Sequence, residues 1–393
     1  MNPDALKLLA SRVVNKIGNV FFDYGNNAWM AAQGALGKQF LGIYQITDLL
    51  TSILLNSFGG VLADRFERRR VLLWADGLCG LLCLLVALFA TDRIMFWALV
   101  LVNIFLSIAS SFTSPTYKAL IPDVVGKTEL LDYNANQEVI VKIISVCTPI
   151  LSFIVLHFTN LRVTLLLDAV SFFLSFFFIF RIKVSSSHVQ VEKAFHPKVI
   201  LSDMWQGFVF IRQQREIFFL LSLAALVNFF EAGLYYLLPF TDHLFHLTGA
   251  YATLLSIGAV GSVIGALLSK KFSDSMQSLI WSLVGTGLGL MFLGFPVSNL
   301  VSFIGIFFFQ FFESIFNIHF FSQVQRRVPK DYMGRVFSSI YTIALIFMPF
   351  GKFLMLILPH SLSTTSFIWL GLGIVLVGLG AYFYQKKLSN MLY

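Results

Sequence analysis

Charge is scarce in this chain: only 12% of its 393 residues are Asp, Glu, Lys or Arg. A soluble domain carries about 25%, so a water-soluble enzyme of this length would lack the polar surface it needs. Cysteine is nearly absent as well. The three present, Cys79, Cys83 and Cys147, all fall inside apolar runs, where neither a disulfide framework nor a zinc site is expected. No Ser/His/Asp or Cys/His set shares a plausible aqueous site, which argues against an enzyme, and no cofactor is expected. The net charge of +8 is not gathered on a basic face interleaved with stacking aromatics, so nucleic acid is not an expected partner.

What fills the chain is hydrophobic sequence: 57% of residues, 44 of them Phe. Apolar runs long enough to cross a bilayer as helix recur throughout. Polar breaks predict twelve spans, at 13–36, 40–62, 71–90, 95–116, 133–157, 162–180, 217–240, 248–268, 278–296, 300–323, 336–358 and 363–384. The longest polar interval, 181–216, contains Ser185, Ser186, Ser187, Glu192, Lys193 and Pro197, then turns amphipathic around Trp205, Phe208 and Ile211. It reads as a linker ending in a helix on the membrane surface. The expected units are therefore 1–180, a linker at 181–216, and 217–393. With the N-terminus placed in the cytoplasm, 23 of the 28 Lys and Arg fall in cytoplasmic segments, among them Lys7, Arg12 and Lys16. By the positive-inside rule this predicts a multi-pass protein of the plasma (inner) membrane with both termini cytoplasmic.

The halves echo each other. Phe21-Phe22-Asp23-Tyr24-Gly25 returns as Phe229-Phe230-Glu231-Ala232-Gly233, and the segment Gly60 to Arg65 returns as Gly265 to Lys270. Lys142 and Pro149 return as Lys352 and Pro359. Offsets of 205–210 in constant order predict a duplicated unit. The fold class expected is an all-α membrane protein with twelve transmembrane helices in two pseudo-symmetric six-helix bundles. Parallel repeats of this kind place a substrate site near the midplane.

Gly60-Val61-Leu62-Ala63-Asp64-Arg65-Phe66-Glu67-Arg68-Arg69 resembles the loop 2–3 signature of the major facilitator superfamily, with Glu67 standing where the family has glycine. Phe112 to Asp123 followed by Asn134-Ala135-Asn136, and Arg327-Val328-Pro329 followed by Gly334-Arg335-Val336, are similar to connections in its drug:proton antiporter branch, which includes macrolide efflux and siderophore export proteins. The span 5 glycines of the antiporters are absent around Cys147-Thr148-Pro149, as is the span 4 arginine. The resemblance implies that Gly60, Asp64, Arg65, Arg68 and Arg69 form a cytoplasmic gate, with Asp64 latching onto the helix beginning near Arg335. Asp76 is expected to support this loop.

An ionisable group inside the bilayer costs about 2.5–3.5 kcal/mol on insertion scales and normally faces a cavity or a partner. Asp23 and Glu231 fall mid-span at equivalent places of the two halves, and Glu313 is central in span 10. The resemblance sets spans 1, 4, 7 and 10 around a central cavity, which would put these acids on a transport path. Asn26 and Asn27 stand beside Asp23. Glu138 and Lys142, at i and i+4, are spaced for an ion pair, and Lys352 is expected to balance Asp48 or Glu313 from another helix. Cavity aromatics are expected among Phe22, Trp29, Tyr235, Phe312 and Phe316. Asp168 is placed toward the outer interface.

The expected activity is secondary active transport by alternating access: efflux of a lipophilic small molecule of drug or macrolide type, in exchange for protons, by a monomer in the lipid bilayer. A lipid or lysolipid transporter (a flippase of the same fold) and a siderophore exporter are the alternatives. A non-transporting receptor is argued against by the mid-span carboxylates. An importer of small polar solutes is argued against by the scarcity of amide and hydroxyl clusters.

Overall fold

The computed structural model of the chain describes residues 2–65, 67–126, 129–183, 205, 208–295, 297–328, 342–358 and 362–391, with the side chains of 56–65, 131 and 387–391 left out. Among the described residues the regular structure is helical, and nine helices are long and apolar enough to cross a membrane. The chain divides into two units, Met1–Ile200 and Leu201–Tyr393.

The first unit holds α1 (Pro3–Ala31), α2 (Gly34–Arg65), α3 (Arg68–Phe89), α4 (Met95–Val124), α5 (Leu130–Phe158) and α6 (Leu161–Phe180). The second holds α7 (Arg215–Leu237), α8 (Ala250–Leu268), α9 (Met276–Gly294), α10 (Asn299–Arg327), α11 (Met348–Ile357) and α12 (Thr364–Met391). Most bounds fall within a turn or so of the hydropathy reading, and the exceptions have local causes. Helix α1 begins ten residues early because Asn2 accepts the Ala5 amide at 2.6 Å and Pro3 occupies the first turn; capping chemistry, not hydropathy, decides where a helix starts. Helix α4 runs two turns past its apolar stretch, through Pro115 and Pro122. Of the surface helix expected near Trp205, residues 205 and 208–213 are described and helical, whereas most of the linker and residues 336–341 of the eleventh span lie outside the described residues. The Trp205 and Phe208 rings meet tilted, with centroids 5.6 Å apart.

Internal duplication is visible in the packing. In the first unit α1 packs on α5 and α6, α2 on α4, and α3 on α4 and α6. The second unit repeats every pair six helices on: α7 on α11 and α12, α8 on α10, α9 on α10 and α12. Small residues permit the close approaches. A Cβ at Gly261 or Gly265 of α8 would lie 2.4 or 2.3 Å from the carbonyl oxygens of Phe307 or Phe311 on α10. Such small-xxx-small seams hold helices together where lipid removes the hydrophobic drive. Large apolar side chains such as Trp74, Phe89, Phe158 and Trp369 are exposed on the periphery, as a lipid-facing surface requires.

Equivalent corners of the two units carry clasps with the charges exchanged. Arg68, opening α3, donates to Asp123 at 2.7 Å and to the Ala119 carbonyl at 3.0 Å, near the end of α4. In the second unit the acid comes first: Asp274, just before α9, accepts from Ser322 at 2.5 Å, Gln323 at 2.7 Å and Arg326 near the end of α10. Partial burial pushes the Asp274 carboxyl up, but the hydrogen bonds of Ser322 and Gln323 and the charge of Arg326 outweigh it and leave the group below its ordinary 3.8. A depressed folded value means stability that is present above the ordinary value and lost as pH falls through the folded one. Asp274→Asn is therefore expected to lower the melting temperature by about 1–3 °C at pH 7, the scale of an exposed pair. The gap to wild type should close below about pH 4; thermal melts of detergent-solubilised protein across this range check it.

Candidate functional site

Each unit encloses a pocket of its own, and the two differ in chemistry. In the first unit α1 turns one face inward: Arg12, Asn15, Lys16, Asn19 and Asp23 recur at 0, 3, 4, 7 and 11, the spacing of one helical stripe. Helix α4 offers a matching stripe, Asn103, Ser107, Ser110 and Ser114. With Asp48 and Ser52 from α2 and Asp76 from α3 these line a polar cavity of about 300 Å³. Phe22, almost fully buried, supplies an apolar wall.

Neutral donors hold two of the three acids. Asp48 accepts the Ser107 hydroxyl. Asp76 accepts from Ser175 of α6 at 2.6 Å and from Asn15 at 3.2 Å. Asp76 thus does not support the arginine loop; Arg69 instead donates to the carbonyls of Ile179 at 3.2 Å and Phe180 at 2.5 Å. A helix-end carbonyl that lacks an intrahelical partner is an available acceptor for a guanidinium, whereas Asp76 lies two turns deeper. The side chains of Gly60, Asp64 and Arg65, and all of Arg335, lie outside the described residues, and the expected latch falls with them.

Several other expectations change. Asn26 and Asn27 belong to the α1–α2 contact, not the cavity: Asn26 donates to the Tyr44 hydroxyl at 3.3 Å, and Asn27 donates to the Asp23 backbone carbonyl at 2.6 Å while accepting from Gln45 at 2.7 Å. Glu138 and Lys142 form no ion pair among the described residues. Glu138 is exposed, where such a pair gains at most a few tenths of a kcal/mol, about 0.3–0.5. Asp168 is fully buried, not interfacial; it accepts from the Cys83 thiol at 3.4 Å, with α1 pressed close at Gly18. Asp48 is engaged inside its own unit by Ser107, and Lys352 is buried on α11. The amide and hydroxyl groups that are scarce in the sequence nevertheless cluster here, contributed by α1, α2 and α4.

The second unit is aromatic. Glu231 of α7, only 6% exposed, lines a pocket of about 170 Å³ with Asn228, Phe316, Asn317, Phe320 and Phe321. Asn228 donates to the Ala344 carbonyl at 3.0 Å. Glu313, one turn before Asn317 on α10, accepts from it at 3.2 Å and acts electrostatically on Glu231. Glu231 and Phe316 thus line one pocket, and Glu313 joins it through Asn317. Tyr235 sits close by through Gln310, whose amide donates to its hydroxyl at 3.0 Å. Trp29 instead packs on Phe96 at 4.9 Å.

Two internally repeated bundles, each with a charged pocket, have a counterpart among known proteins. The sequence pattern of the Major Facilitator Superfamily matches residues 18–351. The chain belongs to this superfamily. Among relatives, macrolide efflux protein A of Enterococcus faecalis is 23% identical over 304 residues, covering 74% of this chain and 92% of that protein. Enterobactin exporter EntS of Citrobacter koseri is 26% identical over 286 residues, covering 71% and 67%. The fold is that of the nucleoside transporter NupG, with a TM-score of 0.73, 13% identity, and 97% and 98% of the chains covered. A bacterial homologue of the iron transporter ferroportin in its inward-facing state follows the same fold, with a TM-score of 0.69, 18% identity, and 97% and 98% covered. This superfamily member is thus a multi-pass membrane transporter.

Sequence reasoning missed Arg12, Lys16, Asn19 and the α4 serines as pocket residues. The signal was present as helical spacing across an apolar span.

Proposed function

We propose that this transporter exports a bulky lipophilic small molecule, of the kind its macrolide-efflux and siderophore-export relatives are named for, in exchange for protons. The observation that carries the reading is Glu231: a carboxyl nearly sealed from solvent, walled by Phe316, Phe320 and Phe321, with Glu313 in electrostatic reach. An apolar pocket with few polar groups is what a lipophilic ligand needs. Two acids that cannot both carry charge cheaply in one apolar site exchange a proton when a ligand or a conformational change alters their surroundings. Asp23, exposed to the cavity of the other bundle, is the second candidate for coupling.

In this reading the protein works as a monomer in the plasma membrane with both termini cytoplasmic, as the Lys and Arg distribution supports. Alternating access is rocking of one repeat against the other. The test is growth inhibition across macrolides, cationic dyes and siderophore-dependent conditions, with and without the gene. Expression is expected to raise the inhibitory concentration of at least one lipophilic compound several-fold, and Asp23→Asn to remove most of that protection. A panel with no responsive compound would count against export.

A further inference from the structure

The polar cavity of the first bundle holds something the export reading does not use. Arg12 and Lys16, one turn apart on α1, both line it. The Arg12 guanidinium lies over the Tyr117 ring at 5.3 Å, and its Nε is buried with no hydrogen-bond partner. Among the described residues neither Arg12 nor Lys16 is in an ion pair, although three aspartates line the same cavity. Two of those acids are occupied by neutral donors, Asp48 by Ser107 and Asp76 by Ser175 and Asn15. Asp23 lies seven residues beyond Lys16, about 10 Å along the helix. Asn15 gives its amide to Asp76 and keeps a buried Oδ1 without a partner.

Buried polar atoms without partners are rare in folded proteins and call for an explanation such as a bound group. Here an N–H donor on a cation and a carbonyl acceptor three residues away stand unsatisfied beside a second cation. Arginine is the side chain suited to planar, paired recognition of carboxylate and phosphate oxygens.

We propose that the first bundle's cavity is a binding site for an anionic oxygen group carrying a hydroxyl, such as a phosphate monoester, with Arg12 and Lys16 as its anchors and Asn15 Oδ1 accepting its hydroxyl. Every residue that builds the site belongs to the first unit. What it means for cargo rests on the export reading: the exported molecule then carries an anionic group beside its lipophilic body. Binding itself does not depend on that reading.

The test is equilibrium binding of phenyl phosphate to the full chain in phosphatidylcholine nanodiscs, with neutral benzenesulfonamide as the shape control. Phenyl phosphate is expected to bind at least about tenfold more tightly than the sulfonamide, and the Arg12→Gln/Lys16→Gln double variant to lose that preference. Arg12→Lys should keep part of it, and Lys16→Gln alone gives a milder variant if the double one elutes abnormally on size exclusion. Adding phosphatidic acid, a lipid phosphate monoester, separates two sources of the same chemistry: displacement of phenyl phosphate assigns the site to a lipid headgroup, and no displacement assigns it to a soluble anion, both consistent with the proposal. Equal binding of the two probes, or an unchanged preference in the double variant, overturns it. Loss of pH-driven efflux in Glu231 variants leaves this result untouched, so failure of one reading is distinguishable from failure of the other.

Discussion

Glu231→Gln is expected to abolish uphill export driven by a pH gradient while leaving the protein folded. Each unit of pH difference is worth about 1.4 kcal/mol per proton, which for one-for-one exchange sustains about a tenfold substrate ratio across the membrane. Glutamine keeps the shape and a hydrogen-bonding oxygen but cannot take up or release a proton. In vesicles with an imposed gradient the ratio should therefore fall toward unity, within error of the ratio in protein-free vesicles. Glutamine in place of a carboxyl also spares the fold, because a nearly buried neutral amide costs less to hold in an apolar site than a charge. A Glu231→Gln protein that still builds a tenfold ratio per pH unit would remove Glu231 from coupling. Glu313→Gln is the companion. Its group also bonds Asn317, so a partial loss there with a full loss at Glu231 would rank the two acids.

Much of this site was legible because ionisable residues stand out against hydrocarbon. Asp23, Glu231 and Glu313 could be picked from the chain by cost alone, and Phe316 by its turn from Glu313. Azimuth around each helix was less legible. Hydropathy reports depth, so Arg12 and Lys16 near the start of span 1 read as topology signals and not as parts of a wall. Single serines such as Ser107 and Ser110 barely lower a span's hydropathy, because a hydroxyl can return its proton to the carbonyl four residues back, as Ser111 does to Ser107. Asn26 and Asn27 show the converse error. They sit three and four residues from Asp23 and share its depth, but Asn26 donates to Tyr44 of α2 and Asn27 accepts from Gln45 of the same helix. Pairing across helices decides such cases, and a lone sequence carries it only where both partners are unusual. The duplication was legible for that reason: acids, glycines and prolines recur in the same order at nearly constant offset, and the same five helix pairs appear in each unit.

Gly265→Leu is expected to damage the second bundle more than any substitution of an exposed charge. The added Cβ would meet the Phe311 carbonyl oxygen at 2.3 Å and its carbon at 3.0 Å. Both are main-chain atoms, so no side-chain rotation relieves the clash and α8 must move away from α10. Overpacking a tight interface costs about 1–3 kcal/mol in typical cases, and here the loss extends along the seam, because Gly261 makes the same approach to Phe307 one turn earlier. For a unit near 200 residues the melting temperature should fall by about 3–10 °C. Helix α10 also carries Glu313 and Phe316, so its displacement should weaken transport in whatever protein still folds. Gly265→Ala is the graded control: it meets the same backbone oxygen with one methyl and should fall between wild type and leucine. Fluorescence-detected size exclusion after a heating series reads all three. If leucine matched wild type, the α8–α10 seam would have to be looser than its glycine contacts require.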